Sequence, residues 1–458
     1  MKSRYVAGFT LVSALLGGCR EPDGPGGPIR GGTRMLVSSD PQGATITLDQ
    51  RDTGLRTPDT IGGLGGTHVL NVQLDSAGVR YSYSVQIAVS RVDSVLRNHG
   101  PLTRQCTATE LGQCYSQMHR YHEAAGVRFA TNPLGGLFMR QAQGQGLFWP
   151  ATSSNSYISG STPVIAGRLE GVGVSLGIYD HHFHAGRPAP TTSNVNGMFR
   201  LNQETWIVPP AGALRRFPTA RGVSVRQELL ASDDVEGVVL IRLTFRNITD
   251  QLDYQFMDSF LGAAGGTYRE TYIGLLLDAD IGDSGDDWLT YDPELDMVYA
   301  YDARFSEPTF TGNASAAPGL VGLRALRAPA GSMVVLNGWM STGVSADWRA
   351  GQPSESFGYD MLSGLNPFTP AHPNRRIGHL PPQAADARIA VMAGPLTLAP
   401  GDAAEIVLAV AVAAPVAGTF QTGVLVQPGE PLDTQRDIHR IAATLRQRMR
   451  AAEALLDN

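Results

Sequence analysis

Lysine is almost missing from this sequence, since Lys2 is the single example among 458 residues. The lysine ε-amino group forms Schiff bases, carries pyridoxal phosphate, neutralises phosphates in the P-loop and activates serine in Ser-Lys pairs. Removal of residues 1–18 would leave no lysine at all. A mature chain of that kind is excluded from all four mechanisms.

Cysteine is also scarce, with three residues in the chain. Cys106 and Cys114 stand close together in "CTATELGQC", and such a pair in an exported protein predicts a disulfide that clamps a short loop. A zinc site that includes His119 and His122 is the alternative. Seven residues separate the two cysteines, whereas zinc sites usually have about two to four. The disulfide is therefore favoured.

The first residues are typical of an export signal. Lys2 and Arg4 precede the apolar stretch Val6–Leu16, which is too short for a membrane-spanning helix of roughly 20 residues. We therefore expect a signal peptide over residues 1–18. Its removal takes the net charge from −6 to −8, with 34 basic and 42 acidic residues left. Such an acidic chain is not expected to bind nucleic acid.

The end of this segment, Leu16-Gly17-Gly18-Cys19, resembles the lipobox of bacterial lipoproteins. The resemblance implies that Cys19 is diacylated and becomes the mature N-terminus. It also implies that Arg20, in place of aspartate, directs the protein to the outer membrane. An ordinary signal peptide that ends near a cysteine is the alternative. Residues 19–32 are rich in Gly and Pro and predict a flexible tether from the lipid anchor.

The rest of the chain is predicted to be all-β. Glycine is abundant (53 residues) and short apolar runs alternate with turn residues, which favours β-sandwiches over helical bundles. We expect a small sandwich over 33–98, a connector with the disulfide over 99–120, and a large sandwich over 121–430. The segment from Tyr121 to Val426 is interpreted as β throughout.

The small domain shows apolar alternation at Leu36, Ile46 and Leu48, and turn residues in the run "SDPQGA" (Ser39–Ala44). Together with Gly54, Thr57-Pro58 and a Gly-rich turn before "HVLNV", this run resembles the PEGA domain over about residues 33–95. Gln42 stands where the family usually has glutamate. The resemblance implies a small β-sandwich module of bacterial envelope proteins that mediates attachment or interaction, and it implies no catalytic residue.

The large domain resembles a family of uncharacterised exported proteins of environmental bacteria. The shared landmarks are "GQGLFWPATSSNSYISG", "GVSVRQELLAS", "IGLLLDADIGDSGDDW" and "GPLTLAPGDAAEIVLAVAV", which span about 300 residues. Members often end in a secretion sorting domain that this chain lacks. The family implies no established activity. Strand patterns within it are clear, since Ile241, Leu243 and Phe245 alternate with polar residues, and Pro400-Gly401 predicts a turn.

The chain ends with an amphipathic segment, residues 431–458, which predicts a helix that Asp433 can cap. Its apolar face comprises Ile438, Ile441, Ala442, Leu445, Met449 and Ala452. Several arginines occupy the remaining surface. A helix packed on the body of the protein is favoured, and a helix that binds a partner or a membrane surface is the alternative.

Three motifs suggest chemistry, and each departs from its family. "GVSLG" (Gly173–Gly177) matches the G-x-S-x-G nucleophile elbow, but its flanks alternate like one continuous strand. "DHHFH" (Asp180–His184) offers imidazoles without a specific metal spacing. "HRYHE" (His119–Glu123) lacks the spacing of zinc proteases and is interpreted as a surface turn or short helix.

The stretch "LLLDADIGDSGDDW" carries the aspartates Asp278, Asp280, Asp283, Asp286 and Asp287 within ten residues. It lacks the turn glycine and the closing glutamate of an EF-hand. Carboxylates on a loop are nevertheless suitable ligands for structural Ca²⁺. A solvated acidic turn and a pair of catalytic carboxylates are the alternatives, because the separation that catalysis requires cannot be read from sequence.

These observations favour a non-enzymatic lipoprotein of the cell envelope with a binding or structural role. Its partners would be the membrane, through the N-terminal lipid, and an envelope protein or glycan. The alternative is a carbohydrate-binding or carbohydrate-active surface protein, for which tryptophans would supply stacking surfaces. The five tryptophans are Trp149, Trp206, Trp288, Trp339 and Trp348.

Overall fold

The fold of this protein, seen in a computed structural model, is all-β, as the sequence predicts. Twenty-five strands and three short α-helices occur in the described part of the chain. The structure describes residues 33–40, 42–64, 66–76, 79–89, 95–101, 103–104, 120–131, 135–138, 146–177, 183–185, 191–207, 220–257, 261–283, 285–302, 318–340, 355–364, 386–416 and 440–456. The predicted signal peptide, Cys19, the tether, Cys106 and Cys114 lie outside these residues.

The N-terminal sandwich consists of two sheets. One has the order β4 (Asp59–Leu64), β1 (Thr33–Asp40), β7 (Val95–Pro101), and the other has the order β3 (Arg51–Arg56), β2 (Thr45–Leu48), β5 (Gly66–Ser76), β6 (Val79–Val89), β8 (Thr103–Arg104). β1 pairs antiparallel with β4 and parallel with β7. Strand pairing therefore continues beyond residue 98.

The core of this sandwich is small and aliphatic. Ile46 of β2 and Val72 of β5 pack against Met35 and Val37 of β1 from the other sheet, and all four are fully buried. Leu36 is half-buried instead, because side chains alternate along a strand and Met35 and Val37 take the inner face. The apolar alternation was thus predicted one position out of register in β1.

The large sandwich begins with an eight-stranded sheet. Its order is β23 (Met333–Met340), β24 (Ala387–Leu398), β19 (Tyr268–Ala279), β12 (Ser156–Leu169), β11 (Leu147–Phe148), β10 (Val127–Thr131), β9 (Arg120–Ala124), with β13 (Gly173–Gly177) also paired on β12. β19 lies near the centre and pairs antiparallel with β12 and β24. Its carboxyl end leads into the acidic stretch.

The opposing sheet has nine strands. Its order is β14 (Phe183–Ala185), β16 (Met198–Ile207), β17 (Val223–Ser232), β18 (Val238–Asn247), β25 (Ala403–Ala413), β22 (Leu320–Arg327), β21 (Met297–Asp302), β20 (Asp287–Asp292), with β15 (Thr191–Val195) also paired on β16. β18 alternates as predicted. Ile241, Leu243 and Phe245 lie in the core shared with the eight-stranded sheet.

Two of the connections that cross from one sheet to the other bear on the position of the acidic stretch. β24 leads into β25 through a turn at Gly401, whose φ of 86° favours glycine, and these consecutive strands belong to opposite sheets. β19 likewise leads into β20 of the opposite sheet, through the acidic stretch. Ile281 in that connection is fully buried in the shared core. The acidic stretch therefore closes one end of the sandwich.

Helices interrupt the segment that was interpreted as β throughout, and that interpretation was wrong at two places. They are α1 (Leu252–Met257) and α2 (Glu355–Leu362). α2 covers the outer face of the eight-stranded sheet, where Tyr359, Met361 and Leu362 pack against Val164 and Met392. No helix in the described ranges has the length and apolar composition needed to cross a membrane.

The C-terminal helix α3 (Ala443–Ala451) covers the outer face of the nine-stranded sheet, and a 3₁₀ turn (Ala452–Leu455) follows it. The predicted apolar face is buried at Ile441, Ala442, Leu445, Met449 and Ala452. The basic face is also engaged, since Arg446 pairs with Asp292 at 2.5 Å and Arg448 with Glu236 at 3.1 Å. The helix packed on the body, favoured from the sequence, is what the structure shows.

Candidate metal centre

The acidic stretch begins at the end of β19, where strand pairing positions its first carboxylates. Asp278 lies directly opposite Arg388 of β24, and Ala279 lies opposite Ala387. The next residues outward along the two strands are Asp280 and Asp386. Because neighbouring strands lie about 5 Å apart, the antiparallel register brings these two aspartates together from distant parts of the chain.

Asp278, Asp280 and Asp386 form a carboxylate triad. One carboxylate oxygen from each residue lies within 4.8 Å of the other two. Asp280 is 8% exposed, and the other two are half-buried. Arg388 lies beside the triad, with its Nε 3.3 Å from Asp278 Oδ1 and its Nη2 3.5 Å from Asp386 Oδ2. One guanidinium thus partly offsets two of the three negative charges.

The pKa of Asp278 reflects this balance. Burial raises the pKa of this carboxyl above its ordinary value, Arg388 opposes the rise, and the nearby carboxylate of Asp386 adds to it. The loss of water around the carboxyl group and the negative charge of Asp386 thus both disfavour the ionised form. A bound cation would oppose both effects, because its positive charge favours the ionised form.

Asp287, the first residue of β20, is the most deeply buried of the five aspartates in the acidic stretch, with no exposed surface. Its Oδ2 accepts a hydrogen bond from the Ile281 backbone N–H at 3.3 Å. Its Oδ1 is buried and has no hydrogen-bond partner. Burying a charge in this way is costly unless it is compensated.

Further carboxylates surround Asp287. Asp302 lies directly opposite it in the β20–β21 pairing and is 5% exposed. Like charges at facing positions of a sheet repel each other. Burial raises the pKa of Asp287 well above its ordinary value, and the carboxylates of Asp280, Asp302 and Asp286 raise it further. Asp280 therefore belongs both to the triad and to the surroundings of Asp287.

The five aspartates predicted as metal ligands thus separate into different environments. Asp278 and Asp280 join the triad, and Asp287 lies buried next to it, with half-buried Asp286 nearby. Asp283 is exposed, and its Oδ1 accepts a hydrogen bond from the Gly285 backbone N–H at 3.2 Å. This contact is the local turn of an aspartate side chain, outside the triad.

Sequence reasoning missed Asp386 and Asp302. Asp386 immediately precedes the apolar strand "ARIAVMAG", and Asp302 ends the strand "MVYAYD". An aspartate at a strand end is usually a turn residue, so neither position stood out. Knowledge of the pairing of β24 with β19 would have indicated Asp386, but no local sequence pattern contains that pairing.

The other chemical motifs have structural positions where they are described. Ser175 of "GVSLG" is fully buried within β13, and its Oγ lies 3.5 Å from Tyr268 Oη. It is not on the exposed strand-to-helix turn that a nucleophile elbow requires. His181 and His182 lie outside the described residues.

His122 of "HRYHE" lies in β9, so the interpretation as a turn or short helix was wrong at residues 120–123. Its ring packs near Phe129 and Phe199, with centroids 5.2 and 5.0 Å away. Its Nε2 lies 2.9 Å from Thr131 Oγ1. The alternation along β9 turns this histidine inward and leaves Glu123 exposed.

Three tryptophans have described side chains, and each is engaged at a different place. The Arg448 Cζ atom lies 4.8 Å from the centroid of the Trp149 ring, and Trp149 Nε1 donates a hydrogen bond to Glu236 Oε1. Trp206 packs on the small cluster of Ile248 and Tyr254. Trp288 is buried beneath α3. These three rings therefore do not line one groove.

Comparison with known protein families identifies one module. Residues 33–76 match the PEGA domain, and the chain thus contains a PEGA domain at the position that the sequence motifs indicate. The matched residues include β1 to β5 of the N-terminal sandwich. A PEGA domain suggests an extracellular or surface protein. No curated protein matches the chain.

Proposed function

We propose that this protein is a non-enzymatic lipoprotein of the cell envelope, held in the outer membrane by a lipid on Cys19 and serving a binding or structural role. The observation that carries the proposal is the PEGA domain at residues 33–76. The lipobox-like sequence before it supplies the anchor. The Gly- and Pro-rich segment 19–32 supplies a tether that lets the sandwiches extend from the membrane surface.

The large sandwich supports a binding or structural role more than catalysis. The serine and histidine motifs that suggested catalysis have other contacts where they are described: Ser175 is buried in β13, and His122 packs among aromatic rings. The arginines of α3 pair with carboxylates of the same chain. This pairing favours a helix that holds the domain together over one that binds a membrane.

The carbohydrate-binding alternative has less support. Stacking of sugars requires exposed aromatic rings on one surface, whereas Trp288 is buried and Trp149 is covered by Arg448. Trp206 lies elsewhere, beside Tyr254. The partner of the protein is therefore better sought among other envelope components, with the PEGA domain as the first fragment to test for attachment.

Metabolic labelling with an alkyne fatty acid tests the anchor. In a Gram-negative host, we expect the full-length protein to incorporate the label and to fractionate with the outer membrane. Cys19→Ala should lose the label and leave the membrane fraction. Cys106→Ala is the matched control, because it removes a cysteine outside the lipobox, and it should label like the wild type. Equal labelling of wild type and Cys19→Ala would refute the anchor.

A further inference from the structure

The geometry points to a calcium ion bound by Asp278, Asp280 and Asp386 at the end of the large sandwich, with buried Asp287 adding negative charge close to Asp280. This inference is independent of the proposed function, because it concerns the large domain and requires neither the lipid anchor nor the PEGA domain. Its support comes from the geometry of the triad, the burial of Asp287 and the position of the connection.

The triad has the size of a calcium coordination shell. Ca²⁺ binds oxygen ligands at about 2.3 to 2.6 Å, so two ligands of one ion lie at most about 5 Å apart. The three carboxylate oxygens meet this limit, since all lie within 4.8 Å of one another. Backbone carbonyls and water can complete the six to eight ligands that calcium usually takes.

The chemistry of the ligands favours a hard divalent cation. The triad offers carboxylate oxygens alone, whereas zinc and copper sites usually include histidine or cysteine. Mg²⁺ demands near-ideal octahedral geometry at about 2.0 to 2.1 Å and keeps most of its water. Ligands spread up to 4.8 Å apart on two strand ends suit the larger and more tolerant calcium ion.

Asp287 gives an independent indication of a cation. It has no exposed surface, yet its Oδ1 has no hydrogen-bond partner. A solvated acidic turn would place this carboxylate in water, and the structure places it inside the protein instead. Arg388 is not its counter-ion, because its guanidinium pairs with Asp278 and Asp386. A divalent cation beside Asp280 would compensate the charge of Asp287 from nearby.

The position of the site explains what the ion would do. Asp278 belongs to β19 of the eight-stranded sheet, and Asp386 immediately precedes β24 of the same sheet. Asp287 begins β20 of the nine-stranded sheet, and Asp280 lies in the connection from β19 to β20. An ion here would hold the two sheets together at one end. Its role is thus structural, and extracellular calcium modules typically have dissociation constants of about 10⁻⁴ to 10⁻³ M.

The direct test is a thermal melt of the full-length protein after chelation, with Ca²⁺ added back. Calcium at roughly ten times its dissociation constant favours the folded state about elevenfold, so we expect the Tm to rise by about 2 to 5 °C. Equilibrium dialysis with ⁴⁵Ca²⁺ should give one ion per chain. No rise in Tm together with no bound calcium would overturn the proposal.

Two variants and a matched control locate the site. Asp280→Asn should weaken ⁴⁵Ca²⁺ binding at least about tenfold, because Asn keeps the shape of Asp and removes its charge. Asp287→Asn should weaken calcium binding less, since this residue contributes negative charge beside the three ligands and is not itself a ligand. Asp283→Asn, on the same loop but exposed, should bind like the wild type. Loss of binding in Asp283→Asn with retention in Asp280→Asn would refute the triad.

A third measurement does not depend on the variants folding. Tb³⁺ replaces Ca²⁺ at oxygen sites, and its luminescence is sensitised by a nearby tryptophan. Trp288 follows Asp287 directly in β20, so wild-type protein should sensitise Tb³⁺, and Ca²⁺ should displace the signal. A signal that Ca²⁺ does not displace would count against the site, and an equal response of Tm to Mg²⁺ would overturn the assignment to calcium.

Discussion

The two ends of strand β20 bury a carboxylate in opposite ways. Asp292 at the carboxyl end receives a hydrogen bond from Arg446 Nε at 2.5 Å and others from the backbone N–H groups of Glu294 and Leu295. Asp287 at the amino end is equally buried, but it faces Asp302 and accepts one backbone N–H at its Oδ2. The first end has its counter-ion within the chain, and the second is the end beside which we propose a bound cation.

This difference shows how an internal ion pair and a ligand site can be told apart. Both ends bury charge, so burial alone does not distinguish them. At Asp292, α3 supplies a guanidinium whose hydrogen bonds compensate for the lost water. At Asp287, the adjacent chain supplies further carboxylates instead. The proposed calcium site lies beside the end that the chain leaves uncompensated.

The largest expected effect follows from removing the cation at the compensated end. Arg446→Met keeps much of the side-chain volume but leaves Asp292 buried without its guanidinium. We expect the free energy of unfolding to fall by about 3 to 5 kcal/mol, measured by urea titration in the presence of chelator. Arg450→Met is the control: Arg450 is 55% exposed and lies 3.8 Å from Glu294, and its loss should cost less than about 1 kcal/mol. Equal costs for both would contradict the comparison.

A smaller effect, with different outcomes at the two ends, should follow from neutralising the aspartates. Asp292→Asn weakens charge-assisted hydrogen bonds and should lower the free energy of unfolding by about 1 to 3 kcal/mol. Asp287→Asn removes repulsion and should leave that free energy unchanged or raise it by about 1 kcal/mol in chelator. The same urea titrations measure both. A large loss in Asp287→Asn without calcium would show that this end is compensated after all.

The smallest effect concerns Arg388, whose guanidinium lies beside two carboxylates of the triad. Arg388→Gln removes the positive charge beside Asp278 and Asp386 and should tighten calcium binding by about threefold, through reduced charge repulsion of the incoming ion. Equilibrium dialysis gives the dissociation constants. Arg246→Gln is the control and should leave them unchanged, because Arg246 donates a hydrogen bond to Gly401 in the turn that follows β24, whereas Asp386 lies at the other end of that strand. Weaker calcium binding in Arg388→Gln would mean that this arginine positions the carboxylates.

Sequence patterns predicted the features of this protein that depend on local periodicity. The all-β fold, the PEGA module, the alternation of β18 and the apolar face of α3 all follow from residues close together in the chain. The short helix α2 was not predicted, because its eight residues contain too few periods to distinguish it from a loop. The formation of α2 depends instead on its packing against Val164 and Met392.

The candidate site was predicted in part for the same reason. The acidic stretch supplies Asp278, Asp280 and Asp287, and a concentration of carboxylates is visible in any sequence. Asp386 joins them through the register of β24 on β19, and Asp302 through that of β21 on β20. Register between distant strands is set by tertiary packing. Asp283 was included because proximity in sequence was the available criterion, although its side chain points into a local turn.

The crossings between sheets also constrain how this domain can assemble. Along the described strands the chain changes sheet five times, and β18 at the middle of the nine-stranded sheet pairs with β25, the last strand. Contacts so distant in sequence slow folding, because long loops must close before the pairing stabilises them. The sandwich can therefore close only after β25 has been synthesised. A truncation before β25 would leave β18 and β22 as open edges, which promote aggregation.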